Sequence, residues 1–306
     1  MRIGFAGTPD IAADVLQQLL NSNVKIAAII TKPDAPVGRG KNLAPSPVSL
    51  IGEQLNILTL KPDDLNSDVF LSQVKELQLD LIIVVAYGKL IPQKMIELPR
   101  LGWFNLHYSL LPKYRGAAPV QHSLMNGELI TGVTFFKIDE GLDTGKILGQ
   151  AQISIGPDDD AHILFETLNE IGSELIIQCI QDLANSNPVP YSQDEAGVSY
   201  APKFTSSYAQ IDWMDAGESI VRKIRALVAG PECYSFLDKT RIKILNCKLS
   251  ELENLEPGQI GRIDQRIYVG TNTADIELLV VQPAGKRKMS AIEWFNGVRM
   301  ENPIFI

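Results

Sequence analysis

The sequence predicts an α/β chain: a doubly wound, mostly parallel Rossmann-like sheet followed by a smaller OB-like β-barrel domain. Three observations predict it. Strand-like and helix-like runs alternate through the first half, the pattern of βαβ units. The run Leu81-Ile82-Ile83-Val84-Val85 is apolar without a break, as a strand covered on both faces must be. Beyond a stretch rich in proline and glycine, the pattern changes to short strands separated by turn residues, which suits a small barrel.

Taken in order, Arg2 to Ala6 reads as the first strand. Thr8-Pro9-Asp10 then offers a capping hydroxyl, a proline at the first helical position and an early acid, so a helix is expected from Pro9. That turn has one glycine and a proline where a dinucleotide site needs Gly-x-Gly-x-x-Gly, which argues against a nucleotide cofactor. Val24 to Ile30, Asn56 to Leu60 and Leu79 to Ala86 read as further strands, with helices after Ser46 and Asn66. A helix over Ala117 to Asn126 and strands over Thr131 to Ile138 and Lys146 to Ile155 come next.

The stripe Ile163, Leu164, Leu168, Ile171, Leu175 and Ile176 predicts an amphipathic helix from about Ala161 to Ala184, with His162 on its surface. Periodicity is then lost from Asn185 to Thr205, where Pro188, Pro190, Gly197 and Pro202 gather. A helix over Ala216 to Val228 precedes five short strands: Cys233 to Leu237, Arg241 to Leu249, Gln259 to Ile263, Arg266 to Val269 and Ile276 to Val281. The expected division is a catalytic domain over 1–186, a linker over 187–205 and the barrel over 206–306, consistent with a 306-residue chain being long for one domain.

Composition bounds the chemistry. With 28 basic and 36 acidic residues the formal charge is −8, so any contact with a phosphate backbone has to be local. The three histidines and three unclustered cysteines give no soft ligand set, and no metal is expected. The opening Arg2-Ile3-Gly4-Phe5-Ala6-Gly7 has no signal-peptide pattern and no apolar run is long enough to span a membrane, so a reducing cytosol is the expected compartment.

Three features carry reactive groups. On an extended segment, Asn105 and His107 are two apart and share a face, which sets an amide beside an imidazole where both can handle a carbonyl. The turn Asp139-Glu140-Gly141-Leu142-Asp143-Thr144-Gly145 can aim one carboxylate at that histidine; Asp143 is the expected partner, with Asp139 and Glu140 as solvated turn acids. Between Thr31 and Pro47 lies a loop longer than α/β units usually need, and its Lys32, Arg39 and Lys41 form a basic island. Lys203 and the run Lys286-Arg287-Lys288 are candidates to extend it.

Asn105-Leu106-His107, Ser109-Leu110-Leu111-Pro112-Lys113-Tyr114-Arg115-Gly116 and Asp143-Thr144-Gly145 resemble the signature of 10-formyltetrahydrofolate-dependent formyltransferases. The resemblance extends to Phe5-Ala6-Gly7-Thr8-Pro9, Tyr200-Ala201-Pro202-Lys203, Ile211-Asp212-Trp213 and Gly285-Lys286-Arg287-Lys288-Met289-Ser290. It implies that Asn105, His107 and Asp143 are catalytic, that Ser109, Leu110, Leu111 and Pro112 line the site of 10-formyltetrahydrofolate, and that the basic loop enters a tRNA. The implied acceptor is the α-amino group of methionine on initiator tRNA, and a monomer is expected; an amino sugar nucleotide as acceptor, or hydrolysis of the folate, are the alternatives. One departure is visible: where the family reads close to Asn-Pro-Trp-Pro-Gly-Ala-Tyr, this chain has Val228-Ala229-Gly230-Pro231-Glu232-Cys233-Tyr234. For such a transfer, Asn105 and His107 are expected to donate to the oxyanion, and Asp143 to favour the imidazolium form of His107.

Overall fold

The computed structural model describes residues 1–37, 42–185 and 188–306. Arg39 and Lys41 of the basic loop, and the expected boundary after residue 186, lie outside the described residues. The elements of the first part are β1 (Ile3–Gly7), α1 (Asp10–Asn21), β2 (Ile26–Ile30), β3 (Ala35–Val37), β4 (Asn42–Ala44), α2 (Pro47–Gln54), β5 (Thr59–Leu60), α3 (Asp68–Glu76), β6 (Leu81–Val85), α4 (Gln93–Ile96), β7 (Gly102–His107), α5 (Pro119–Met125), β8 (Ile130–Lys137), β9 (Ile147–Ser154) and α6 (Ala161–Asn185).

Seven strands form one sheet in the order β5-β2-β1-β6-β7-β8-β9. The pairings from β5 to β7 are parallel, and β7 to β8 is antiparallel, as the uninterrupted apolar run of β6 required of a covered central strand. Helices cover both faces. Trp103 packs with Val84, Phe70 of α3 and Met95 of α4 on one side, whereas Leu106, of opposite parity, meets α6 so closely that a Cβ on Gly172 would come 2.7 Å from its Cδ2.

The helix starts follow their caps. Ser46 and Ser67 accept hydrogen bonds from the backbone N–H of Ser49 and Phe70, which fixes α2 and α3. Thr8 behaves differently from expectation: α1 begins without a side-chain cap, and the Thr8 hydroxyl instead donates to the Tyr87 carbonyl at 3.2 Å, joining the ends of β1 and β6. Ile163, expected on the apolar stripe of α6, is 45% exposed, while Leu168 and Ile176 are fully buried.

Contacts divide the chain into two compact units that are not contiguous in sequence. The first comprises Met1–Gly116, Ile130–Ile153 and Phe165–Tyr200; the second comprises Ala117–Leu129, Ser154–Leu164 and Ala201–Ile306. Much of the aperiodic stretch is therefore packed into the first unit: Tyr191 exchanges backbone hydrogen bonds with Ile147, and Ser199 accepts from the Arg115 N–H.

The second unit adds α7 (Gly217–Leu227), β10 (Tyr234–Leu237), β11 (Thr240–Leu249), β12 (Ile260–Ile263), β13 (Arg266–Val269), β14 (Ile276–Pro283), β15 (Met289–Ser290) and α8 (Ala291–Phe295). Its antiparallel sheet runs β10-β11-β14-β13-β12, with β15 on β14. The last residues bridge the two ends of that order, which the sequence reading did not anticipate. Ile306 exchanges backbone hydrogen bonds with Phe236 of β10, and Ile260 of β12 donates to the Pro303 carbonyl. Between them Phe305, 3% exposed, stacks on Trp213 at 5.3 Å and Trp294 at 5.8 Å. Closing a sheet removes its unpaired edges, which is the physical gain of a barrel. Among the described residues no helix is long and apolar enough to cross a membrane.

Replacing Phe305 with alanine removes the centre of this aromatic stack and should lower the stability of the second unit by about 3–5 kcal/mol. Urea denaturation followed by tryptophan fluorescence measures the change, and a loss below about 1 kcal/mol would mean that the tail is not a packed strand of the barrel.

Candidate active site

The strand order reverses direction between β1 and β6, and open α/β sheets bind ligands at the carboxyl ends of strands beside such a switch. β7 lies next to β6, with Val84 opposite Asn105, so the end of β7 opens at this crevice. Lys32, from the end of β2, also reaches it: a Cβ on Gly88 would come 2.7 Å from its Nζ.

Asn105 and His107 project from the same face of β7, as their two-residue spacing requires. Asn105 is partly exposed, and among the described residues its carboxamide has no hydrogen-bond partner. His107 is buried, 5% exposed. Its Nε2 lies 2.8 Å from the Tyr114 carbonyl, which can only accept, so Nε2 carries the proton. Its Nδ1 faces Asp143 Oδ2 at 3.7 Å, and the edge of Phe136 from β8 closes a third side.

Burial pushes the His107 imidazole below its ordinary value, against the opposing pulls of the Asp143 carboxylate and the Tyr114 carbonyl. The expected preference for imidazolium is thus reversed in the resting protein, because loss of solvation outweighs one carboxylate 3.7 Å away. The neutral ring, with its proton on Nε2, presents an unprotonated Nδ1.

Asp143 is held by its own surroundings. Its Oδ2 accepts the Gly116 N–H at 2.7 Å, and its backbone is left-handed at φ +53°, as is that of Tyr114 at φ +60°. Such conformations cost on the order of 1–3 kcal/mol for residues with side chains and collect where function over-determines the backbone. Gly145 is required here, since a Cβ would collide with the Lys137 carbonyl. Asp139 accepts instead from Thr144 Oγ1 and the Gly141 N–H, the role of a turn acid, and Glu140 is exposed.

The Ser109 to Pro112 segment is fastened from below. Thr134, opposite His107 on β8, donates its hydroxyl proton to the Ser109 carbonyl and accepts from the Leu111 N–H, while Gln150 of β9 donates to the Leu111 carbonyl and to Thr134. Leu111 is buried with Phe136 and Ile147, the Ser109 hydroxyl donates to the Lys113 carbonyl, and Leu110 lies over Gly132. Pro112, partly exposed, follows a cis peptide bond. The Ser109 hydroxyl and the Leu111 side chain are thus committed to the protein, as are the carbonyls of Ser109, Leu110 and Leu111 and the Leu111 N–H, whereas the side chains of Leu110 and Pro112 are partly exposed.

Thr134, Gln150 and Gln193 were not found by sequence reasoning. Gln193 accepts from Arg115 and donates to the carbonyls of Asp143 and Gly145. No signal marked it, because it sits where periodicity is lost. Of the expected basic residues in the second unit, Lys203, Lys286, Arg287 and Lys288 are exposed, and Arg287 pairs with Glu293 at 2.9 Å. Among the described residues no three of His, Cys, Asp and Glu converge as a metal-ligand set.

Comparison with known proteins places this arrangement. The family model described as formyl transferase matches residues 1–180, and that of the formyl transferase C-terminal domain matches 203–299. A methionyl-tRNA formyltransferase of Thermobifida fusca is 41% identical over 301 residues, covering 98% of this chain and 97% of its own. That of Thermodesulfovibrio yellowstonii is 41% identical over 293 residues, with 96% and 94% covered. Among solved structures, an N-formyltransferase of Helicobacter canadensis in complex with folinic acid and dTDP-3-aminofucose shares the fold at TM-score 0.69 and 23% identity, covering 91% of this chain and 98% of that one. HypX of Aquifex aeolicus in complex with tetrahydrofolic acid does so at TM-score 0.70 and 17% identity; all of this chain matches 51% of it.

A histidine held below its ordinary value binds its proton more weakly folded than unfolded, so its contribution to stability is complete above pH about 6.5 and is lost as pH falls from there through the folded value. The His107 resonance in an NMR titration should therefore move only below pH about 6.5, and Asp143→Asn, which removes the opposing carboxylate, should shift it lower still. Titration of His107 above pH 7 would reverse the assignment of a neutral ring.

Proposed function

This chain belongs to the formyl transferase family, and from that premise we propose that it transfers the formyl group of 10-formyltetrahydrofolate to the α-amino group of methionyl-initiator tRNA, as a monomeric cytoplasmic enzyme. One observation carries the mechanism: Asn105, a carboxamide without a hydrogen-bond partner among the described residues, stands two residues from a neutral, buried imidazole backed by a carboxylate. The near-complete coverage of relatives named methionyl-tRNA formyltransferase supports the acceptor.

In the reaction the neutral amine attacks the formyl carbon, its carbonyl oxygen becomes an oxyanion, the bond from that carbon to the folate nitrogen breaks, and the amine proton ends on the departing nitrogen. An α-amino group has a pKa near 8, so little force is needed to free it. Asn105 supplies the hydrogen-bond donor for the oxyanion. The expected second donor, His107, has its N–H committed to Tyr114, so its Nδ1 instead takes the amine proton and returns it to the leaving nitrogen. Asp143 stabilises the imidazolium while it exists. The segment Ser109 to Pro112, with its partly exposed Leu110 and Pro112, borders the folate, and no covalent intermediate on the protein is needed.

For the tRNA, Lys32 at the crevice and the exposed Lys203, Lys286 and Lys288 are the described cations that would meet phosphates; Arg39 and Lys41 complete the proposed set, and Arg287 contributes less because Glu293 already pairs with it.

Asn105→Ala should lower kcat by about 10²–10³, the effect of one oxyanion donor, with little change in KM. Incubation with 10-formyltetrahydrofolate and methionyl-initiator tRNA, an amino sugar nucleotide or no acceptor reads the product: formate release without an acceptor, or formylated sugar, would replace this reading. Replacing Lys286 and Lys288 together with alanine should weaken tRNA binding and flatten its salt dependence by about 0.7–0.9 in log–log slope per lost phosphate contact. Unchanged affinity at low salt would remove them from the interface.

A further inference from the structure

The segment over 188–200 is the least patterned part of the first unit, yet it supplies a side chain whose hydrogen-bonding capacity is completely used beside the reactive groups. Gln193 Oε1 accepts from Arg115 Nε at 3.2 Å and Nη2 at 2.7 Å; its Nε2 donates to the Asp143 carbonyl at 2.8 Å and the Gly145 carbonyl at 2.9 Å. We infer that Gln193 is a positioning residue for formyl transfer: it ties the Arg115 guanidinium to the backbone of the Asp143 turn and so holds the carboxylate against His107. The inference rests on the reaction proposed above.

Three features support it. Arg115 is only 9% exposed, and among the described residues no carboxylate pairs with it, so its charge is met by the neutral Gln193 oxygen. The turn it anchors contains a left-handed Asp143, a conformation that relaxes unless the surroundings hold it. The segment bearing Gln193 is itself fixed, because Ser199 accepts from the Tyr114 N–H through its hydroxyl and from the Arg115 N–H through its carbonyl.

The residue type is informative. A glutamate here would make a stronger pair with Arg115, but it is acceptor-only when ionised and has nothing to donate to the two carbonyls. An asparagine has one methylene less with which to span them. Glutamine alone among similar side chains accepts from a guanidinium at one end and donates twice at the other, which is what a tie between a cation and a backbone turn requires. His107 is faced by Asp143 from this turn, by the Tyr114 carbonyl from the loop after β7, and by Phe136 from β8; Gln193 bonds the Asp143 turn through its backbone and the loop after β7 through the Arg115 side chain.

Gln193→Ala and Gln193→Glu test the tie. Both should lower kcat for formyl transfer by about tenfold or more while KM for the folate and the tRNA stays within about twofold. In both, the His107 resonance should titrate differently from the wild type, moving to lower pH in Gln193→Ala as the carboxylate withdraws. Because Gln193→Glu retains the Arg115 contact, it decides the matter if the alanine variant misfolds. Wild-type kcat and an unmoved His107 titration in Gln193→Glu, or a loss confined to KM, would overturn the inference. Absence of formyl transfer by the wild-type protein would refute the proposed reaction instead, and the His107 titration would still report whether the tie exists.

Discussion

An imidazole buried at the end of a strand has to satisfy its N–H, and here the 2.8 Å hydrogen bond from His107 Nε2 to the Tyr114 carbonyl does so. Much of the candidate site depends on that bond. It selects the tautomer, leaving Nδ1 unprotonated and turned to Asp143. It also requires the chain after β7 to double back so that a carbonyl seven residues on points at the ring, which accompanies the left-handed Tyr114. The same burial that makes the bond necessary keeps the ring neutral, the state in which it can accept a proton.

The surroundings of the pair are held by neutral side chains bonded to backbone atoms rather than by ion pairs. Thr134 and Gln150 fasten the loop that follows His107, and Gln193 fastens the turn that carries Asp143. The physical consequence is that, among the described residues, the one carboxylate beside His107 is Asp143, and a protonated ring would pair with it. A second carboxylate or an adjacent lysine would bias that event; amide and hydroxyl groups position without doing so.

The second unit solves a different problem. A five-strand antiparallel order leaves two edges, and unpaired edges are open to pairing with other chains. The tail from Pro303 to Ile306 occupies both, with Phe305 stacked between Trp213 and Trp294. Residues far apart in sequence, Trp213 and Phe236 with Phe305 and Ile306, thereby complete one layer, while the exposed Lys203, Lys286 and Lys288 remain at its surface.

The sequence by itself determined what is local. The unbroken apolar run of β6, the shared face of Asn105 and His107, the helices after Ser46 and Asn66 and the division into a parallel and an antiparallel half follow from local pattern, which short-range spacing encodes directly. Where contacts reach across the chain, local signals misled or were silent. Thr8 looked like a cap, but its hydroxyl found Tyr87; Ile163 fitted a stripe, but faces solvent; Gln193 and the closing tail carried no pattern at all. The charge state of His107 was decided only by the tertiary structure, because desolvation is set by everything packed around a ring, whereas sequence offers only the carboxylate that might oppose it.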